Sequence, residues 1–327
     1  MAGSGTAHMR SVDSRALTVS DLVVRFPAGR KQKVHAVSGL NLDLVPGETV
    51  GILGESGCGK SSAGRAMMQL PAPTSGSVRL GDVELTELSP RALRQARAKI
   101  QMIMQDPVSS LNPRRKVADL VGEGLAIWGY QGTDRKAEIE RTLHAVGLDP
   151  AVVWDRRPHE MSGGQCQRVC IARALMLDPD VLICDEPVSS LDVSVQAQIL
   201  NLLERTKQRY GLSLLFIAHD VAAVKNISDR AMVLYLGKTC EVLPSANMHV
   251  RSVHPYTRLL LSSIPDAVRE AADQGTRSVS NELPSPLAPP SGCRFRTRCP
   301  LATEQCAEAE PTLREVGDGH YVACHNV

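Results

Sequence analysis

The 327-residue sequence has no apolar run of membrane-spanning length, almost no net charge, no heptad array and no internal repeat. Each absence removes a class of protein. The longest apolar runs, such as Ala231 to Leu236, are strand-sized and fall far short of the roughly 20 residues that a membrane helix needs. The expectation is a chain without a bilayer-spanning segment. Lys and Arg total 37 against 35 Asp and Glu, a net charge of +2 that argues against bulk nucleic-acid binding. The first dozen residues, rich in Gly, Ser and Ala, lack the apolar core of a signal peptide and read as a disordered start over 1–16. What is present is 43% apolar residue, ample for a core at this length.

The densest local signal is Gly54-Glu55-Ser56-Gly57-Cys58-Gly59-Lys60-Ser61, which fits G-x-x-x-x-G-K-S and follows the apolar strand signal Thr49-Val50-Gly51-Ile52-Leu53. Glycines at 54, 57 and 59 let the backbone turn tightly so that successive N–H groups face a phosphate chain. The loop then enters a helix whose dipole favours negative charge. Lys60 is placed to reach the β- and γ-phosphates. Ser61 offers a hydroxyl to Mg²⁺, and Ser62 occupies the next helical position. A second element, Val181-Leu182-Ile183-Cys184, is an apolar strand that ends in Asp185 and Glu186. Asp185 can hold Mg²⁺ through water, and Glu186 can polarise or orient an attacking water.

With these residues the chain resembles the nucleotide-binding subunits of ATP-binding cassette transporters, from about Leu17 to Asn326. The resemblance implies ATP as nucleotide and an α/β fold. That fold has a P-loop NTPase (RecA-like) core, an N-terminal antiparallel β subdomain, a helical signature subdomain and a small Cys-rich C-terminal extension. It also assigns roles. Gln105, in Met104-Gln105-Asp106-Pro107, looks like the glutamine that senses Mg²⁺ and the attacking water. Ser162-Gly163-Gly164-Gln165 looks like the family signature, although Met161 stands where Leu is commoner and Cys166 where a larger polar residue is usual. Ser189-Ser190-Leu191-Asp192 looks like the loop that touches an opposite subunit. His219, singled out among nine histidines by its place after an apolar strand, looks like the switch histidine. Phe26 is the candidate for stacking on adenine.

Ser162 and two glycines ahead of a helix make a further anion site that cannot serve its own chain's loop. In the family two subunits pair head to tail, so ATP closes the dimer and hydrolysis reopens it. The expected domains are the disordered start, a nucleotide-binding domain over 17–247 with a helical subdomain over about 107–165, and an extension over 248–327.

After His254-Pro255-Tyr256-Thr257 and a Pro-rich stretch from Leu283 to Pro290, taken as a stiff extended linker, comes a C-x5-C-x6-C-x17-C array of Cys293, Cys299, Cys306 and Cys324. Clustered thiols in a reducing compartment favour a metal over disulfides. The HPYT segment and the phrase PSGCRFRTRCP resemble the C-terminal extension of oligopeptide and dipeptide permease ATPases. That likeness implies a structural 4Fe-4S site on the four cysteines, with zinc as the alternative and His320 and His325 as further candidate ligands. Arg294, Arg296 and Arg298 are either offsets to thiolate charge or solvated side chains.

The expectation is an ATPase that energises import of peptides or related solutes. It would sit peripherally on the cytoplasmic face of the membrane, with two membrane permease subunits and an extracytoplasmic solute-binding protein. Its dimer partner would be a paralogous ATPase or a second copy. The alternatives are a soluble, non-transport cassette ATPase and a redox-sensing module.

Overall fold

The structure, a computed structural model, describes residues 5–10, 14–29, 32–129, 134–262 and 283–327. Its strands in chain order are β1 (Leu17–Ala28), β2 (Gln32–Leu44), β3 (Thr49–Leu53), β4 (Ser75–Leu80), β5 (Val83–Glu84) and β6 (Ile100–Ile103). They continue with β7 (Val181–Asp185), β8 (Ser213–Ala218), β9 (Arg230–Tyr235), β10 (Lys238–Pro244), β11 (Arg314–Gly317) and β12 (His320–Val322). The chain divides into two compact units: one joins Met1–Leu88 to Phe216–Val327, and the other is the continuous segment Ser89–Leu215.

The first unit holds an antiparallel sheet ordered β2-β1-β4-β5, the β subdomain that the resemblance implies. In β1, Leu17 and Val19 are buried by simple alternation, and Leu22 and Val24 are buried after a shift of one residue. The shift is a bulge at Asp21, whose φ is 47°. The Asp21 N–H donates to Asn41 Oδ1 at 2.8 Å, and Asn41 Nδ2 donates to Asp21 Oδ1 at 3.2 Å. One extra residue in the strand thus keeps both apolar pairs on the core face.

In the same unit a second set of strands runs β11-β12-β10-β9-β3. β3 lies parallel to β9, while β9, β10, β12 and β11 pair antiparallel in turn. Every residue of β3 is buried, as in parallel strands covered on both faces. The tail joins this framework directly, because β12 extends β10 through Glu241↔Val322 and Val242↔Tyr321. The Pro-rich stretch is not uniformly extended. Its Ala288 N–H donates to the Ser285 carbonyl at 3.2 Å, which closes a turn, and the Pro286 carbonyl accepts from His35 N–H at 3.0 Å.

Where composition predicts a disordered start, the described residues 5–10 pack within the first unit. His8 is buried with its Nε2 2.9 Å from the Asn41 carbonyl, and Arg10 pairs with the buried Asp43 and Glu48. Small polar residues gave no sign of this, because the anchoring groups lie in β2 and the turn after it. Residues 1–4 and 11–13 lie outside the described residues, while Ala16 N–H donates to the Leu44 carbonyl at 2.7 Å.

In the second unit β6 and β7 pair in parallel, from Ile100↔Val181 to Ile103↔Cys184. The chain between them carries the helices Val117–Val121, Glu123–Ile127, Arg135–Ala145, Pro150–Val153 and Gly163–Leu175. The last of these buries Val169, Ile171 and Leu175 and packs against β6 and Val117–Val121. After β7 the helix Val193–Tyr210 begins at the Asp192 cap and stops at Gly211, whose φ of 65° gives the left-handed C-terminal cap.

Candidate functional site

The phosphate-loop residues leave the end of β3 and enter the helix Lys60–Met67. Gly59 has φ 103°, and a Cβ there would lie 2.0 Å from the Ala36 carbonyl oxygen, so only glycine fits. Gly54 is equally constrained, since a Cβ would meet the Leu234 carbonyl oxygen at 2.3 Å. Gly57 and Ser56 lie on the exposed side of the loop, and Ser61 and Ser62 are half-buried on the first helical turn. Lys60 is 4% exposed, and its Nζ donates to the carbonyls of Gly54 at 2.7 Å and Glu55 at 3.0 Å. The loop therefore wraps around its own ammonium group and holds that cation in place. Cys58 is buried beside it, and burial pushes its thiol pKa up.

Phe26 is half-buried on β1, paired with Val34. His219 is exposed directly after β8, ahead of Asp220, whose carboxylate caps the helix Val221–Ile227 by accepting from Ala222 N–H at 2.8 Å. These residues and the phosphate loop belong to the first unit; Gln105, Ser162–Gln165, Asp185 and Glu186 belong to the second.

Within the second unit two sequence-predicted residues meet. Gln105 Nε2 donates to Glu186 Oε2 at 3.0 Å, across 81 residues of chain. Asp185 is fully buried at the end of β7, and Glu186 follows it with φ 47°. Such a value is uncommon for a residue with a side chain and concentrates at functional positions. The next turn locks it: Ser189 Oγ donates to the Glu186 carbonyl at 3.1 Å.

Ser162 caps the helix Gly163–Leu175. Gln165 N–H donates to Ser162 Oγ at 3.3 Å, and Ser162 N–H donates to Gln165 Oε1 at 3.0 Å, a reciprocal capping box. Ser162 and Gly163 are exposed, so this helix start faces outward. Asp192 likewise caps its helix through Val195 N–H at 3.0 Å, and its hydrogen bond from Ser194 holds its carboxyl below the usual range.

The four tail cysteines do not form the expected metal site. Among the described residues no group of three or more His, Cys, Asp and Glu side chains is placed to hold a metal ion. Both the 4Fe-4S cluster and its zinc alternative are therefore withdrawn. Cys306 and Cys324 are buried in the tail, and Cys293 and Cys299 are half-buried. Burial pushes the Cys293 thiol up to about 11, whereas at Cys306 burial is outweighed by hydrogen bonds with Thr303 and Asn326, which bring its thiol below the ordinary value. Cys306 Sγ lies 3.4 Å from Thr303 Oγ1 and accepts from Asn326 Nδ2 at 3.5 Å. His320 Nε2 is 2.7 Å from Glu241 Oε1, and His325 Nε2 is 3.0 Å from the Ala309 carbonyl.

Two residues at the loop were not predicted as site residues. Glu55 N–H donates to Tyr256 Oη at 2.8 Å, and Arg298 places its Nη1 and Nη2 at 2.8 and 3.0 Å from the two Glu55 carboxylate oxygens. The sequence offered Arg298 only as a cation among cysteines. Its partner lies 243 residues away, beyond the reach of any local pattern.

Comparison with known proteins agrees with this geometry. The "ABC transporter" family model matches residues 37–189, and the "Oligopeptide/dipeptide transporter, C-terminal region" model matches 240–306. The fold is similar to that of the dimeric ATP-binding cassette MJ0796 in a post-hydrolysis state bound to ADP and Pi. The TM-score is 0.64 at 26% identity, covering 70% of this chain and 98% of that one. The fold and phosphate loop thus define an ATP-binding cassette ATPase. Over 312 residues the chain is 49% identical to the putative oligopeptide transport ATP-binding protein YkfD of Bacillus subtilis, covering 94% of each. It is 45% identical over 324 residues to the oligopeptide transport ATP-binding protein OppF of Escherichia coli, covering 95% of this chain and 96% of that protein. The chain belongs to this family of oligopeptide-transport ATP-binding subunits.

Proposed function

We infer that this chain hydrolyses ATP to drive the import of peptides or related solutes through separate membrane permease subunits. The observation that carries the reading is the phosphate loop, with Lys60 buried among its own carbonyls at the start of a helix. Likeness to oligopeptide transport proteins over nearly the whole chain supports peptides as the cargo class. Among the described residues no helix is long and apolar enough to cross a membrane, in keeping with a subunit held at the cytoplasmic face by its permeases.

In this reading Lys60 and the loop from Gly54 to Ser61 bind the phosphates, through its N–H groups other than that of Glu55, which donates to Tyr256, and Phe26 stacks on adenine. Ser61 in the first unit, and Asp185 with Gln105 in the second, offer oxygen donors of the kind that suit a hard cation, and Mg²⁺ bound to them would neutralise charge that develops on the γ-phosphoryl group. Glu186, oriented by Gln105, takes or directs the proton of the attacking water. The new P–O bond forms as the bond to ADP breaks, and phosphate leaves. His219 contacts the γ-phosphate. The outward-facing Ser162, Gly163, Gly164 and Gln165 complete a second site on a head-to-tail dimer partner, a paralogous ATPase or another copy of this chain. A solute-binding protein delivers cargo to the complex.

The test is co-purification with the permeases and peptide-stimulated ATP hydrolysis in the assembled complex. Glu186→Gln is expected to cut kcat by at least about 100-fold while ATP binding persists. An isolated, permease-free population whose hydrolysis ignores peptides would overturn the reading.

A further inference from the structure

We propose that Tyr256 and Arg298 are positioning residues for the phosphate loop, which grip Glu55 from two sides and so fix the carbonyls that hold Lys60. The inference rests on the reading of Lys60 as a phosphate contact.

Glu55 has three polar handles, and each is taken. Its N–H donates to Tyr256 Oη at 2.8 Å, its carboxylate accepts both arms of the Arg298 guanidinium at 2.8 and 3.0 Å, and its carbonyl accepts from Lys60 Nζ at 3.0 Å. A glutamate on a glycine-rich turn would otherwise sample several rotamers and take the backbone with it. A bidentate, planar fork removes that freedom.

The grip comes from a stiff support. Tyr256 packs edge-on against Tyr235 with centroids 4.6 Å apart, and Phe295 lies 5.1 Å from Tyr235 and 5.3 Å from Tyr256. The Arg298 guanidinium sits 5.7 Å from the Tyr235 ring and 5.8 Å from the Phe295 ring. Tyr235, Tyr256 and Phe295 are essentially fully buried. Aromatic side chains with two torsions each, locked in this way, make a fixed wall. Because Lys60 is bonded to the same Glu55, the wall sets where the ammonium sits before nucleotide arrives. That is preorganisation of a charged contact.

The experiment titrates the purified full-length chain with a fluorescent N-methylanthraniloyl-ATP in excess Mg²⁺ and measures KM and kcat for ATP in the assembled complex. Arg298→Gln is expected to weaken binding and raise KM about tenfold, with kcat changed by less than about twofold. Glu55→Gln should match it. The double variant should be no worse than either single one, since both remove the same link. Tyr256→Phe, which deletes one oxygen and keeps the ring, should weaken binding about threefold.

If these residues only anchor the tail, the variants will melt earlier yet bind nucleotide as the wild type does, and the inference is overturned. Lys60→Ala separates the two levels. If it binds as tightly as wild type, the reading of the loop itself is wrong. If it loses binding while Arg298→Gln and Tyr256→Phe do not, only the present inference is wrong.

Discussion

His254 is a buried neutral imidazole that couples the fold to pH. Burial pushes its pKa down to about 4, and the attraction of the Glu241 carboxylate only partly opposes this. Its Nδ1 accepts from Tyr256 N–H at 3.1 Å, which requires the unprotonated ring. An unfolded histidine takes up a proton below its ordinary pKa of about 6.5, but the folded one does not until about pH 4. Stability from this residue is therefore complete above about pH 6.5. It falls by up to about 1.4 kcal/mol per unit as the pH drops towards 4. Denaturant titrations between pH 7.5 and 4.5 should show this slope in the wild type and a shallower one in His254→Asn, which keeps an acceptor without the titration. Equal slopes would mean that His254 is not held neutral.

At the same scale, placement was legible where a loop or strand has a fixed pattern: Lys60 opens the helix after β3, and Asp185 and Glu186 stand at the end of β7, where the sequence pattern put them. Glu186 at φ 47° and its hydrogen bond from Gln105 were not legible, since both depend on how chain 81 residues apart is brought together. The cysteine array misled for the opposite reason. Spacing says that thiols are near in sequence, but a metal site needs ligands placed together to hold an ion, and among the described residues no such group forms.

Among the elements, the helix Gly163–Leu175 depends most visibly on its first turn. Its start carries two glycines, which favour the unfolded chain, so the capping box of Ser162 and Gln165 has to offset that tendency. Ser162→Ala is expected to lower the unfolding free energy by about 1 kcal/mol, and Ser162→Asp should restore most of it. Guanidinium melts of the three proteins decide the matter, and indistinguishable midpoints would remove the cap from the account. Helices and buried strands were readable here from apolar periodicity. The β1 bulge was not, because nothing in a single strand reveals that Asn41 of the neighbouring strand accommodates an extra residue.

On the scale of the whole molecule, the first unit is assembled from both ends of the chain. β3 lies beside β9, and β10 receives β12. A chain ended at residue 282 would lose β11, β12, Phe295 and Arg298. It would expose the β10 edge and leave a void beside Tyr235 and Tyr256. Losing the buried Phe295 ring alone costs about 3–5 kcal/mol. We expect the shortened protein to lose its cooperative thermal transition and to be cleaved rapidly in limited proteolysis. A melting curve within about 2 °C of the full-length chain would contradict this.

The Arg298–Glu55 pair gives that architecture a temporal meaning. During synthesis residues 54–61 leave the ribosome well before the cation that steadies them, which lies 243 residues beyond Glu55. An unfinished chain thus carries a phosphate loop that is spelled out but not yet set. If Arg298 positions the loop as proposed, its arrival, rather than emergence of the motif, is what readies the loop to take up nucleotide.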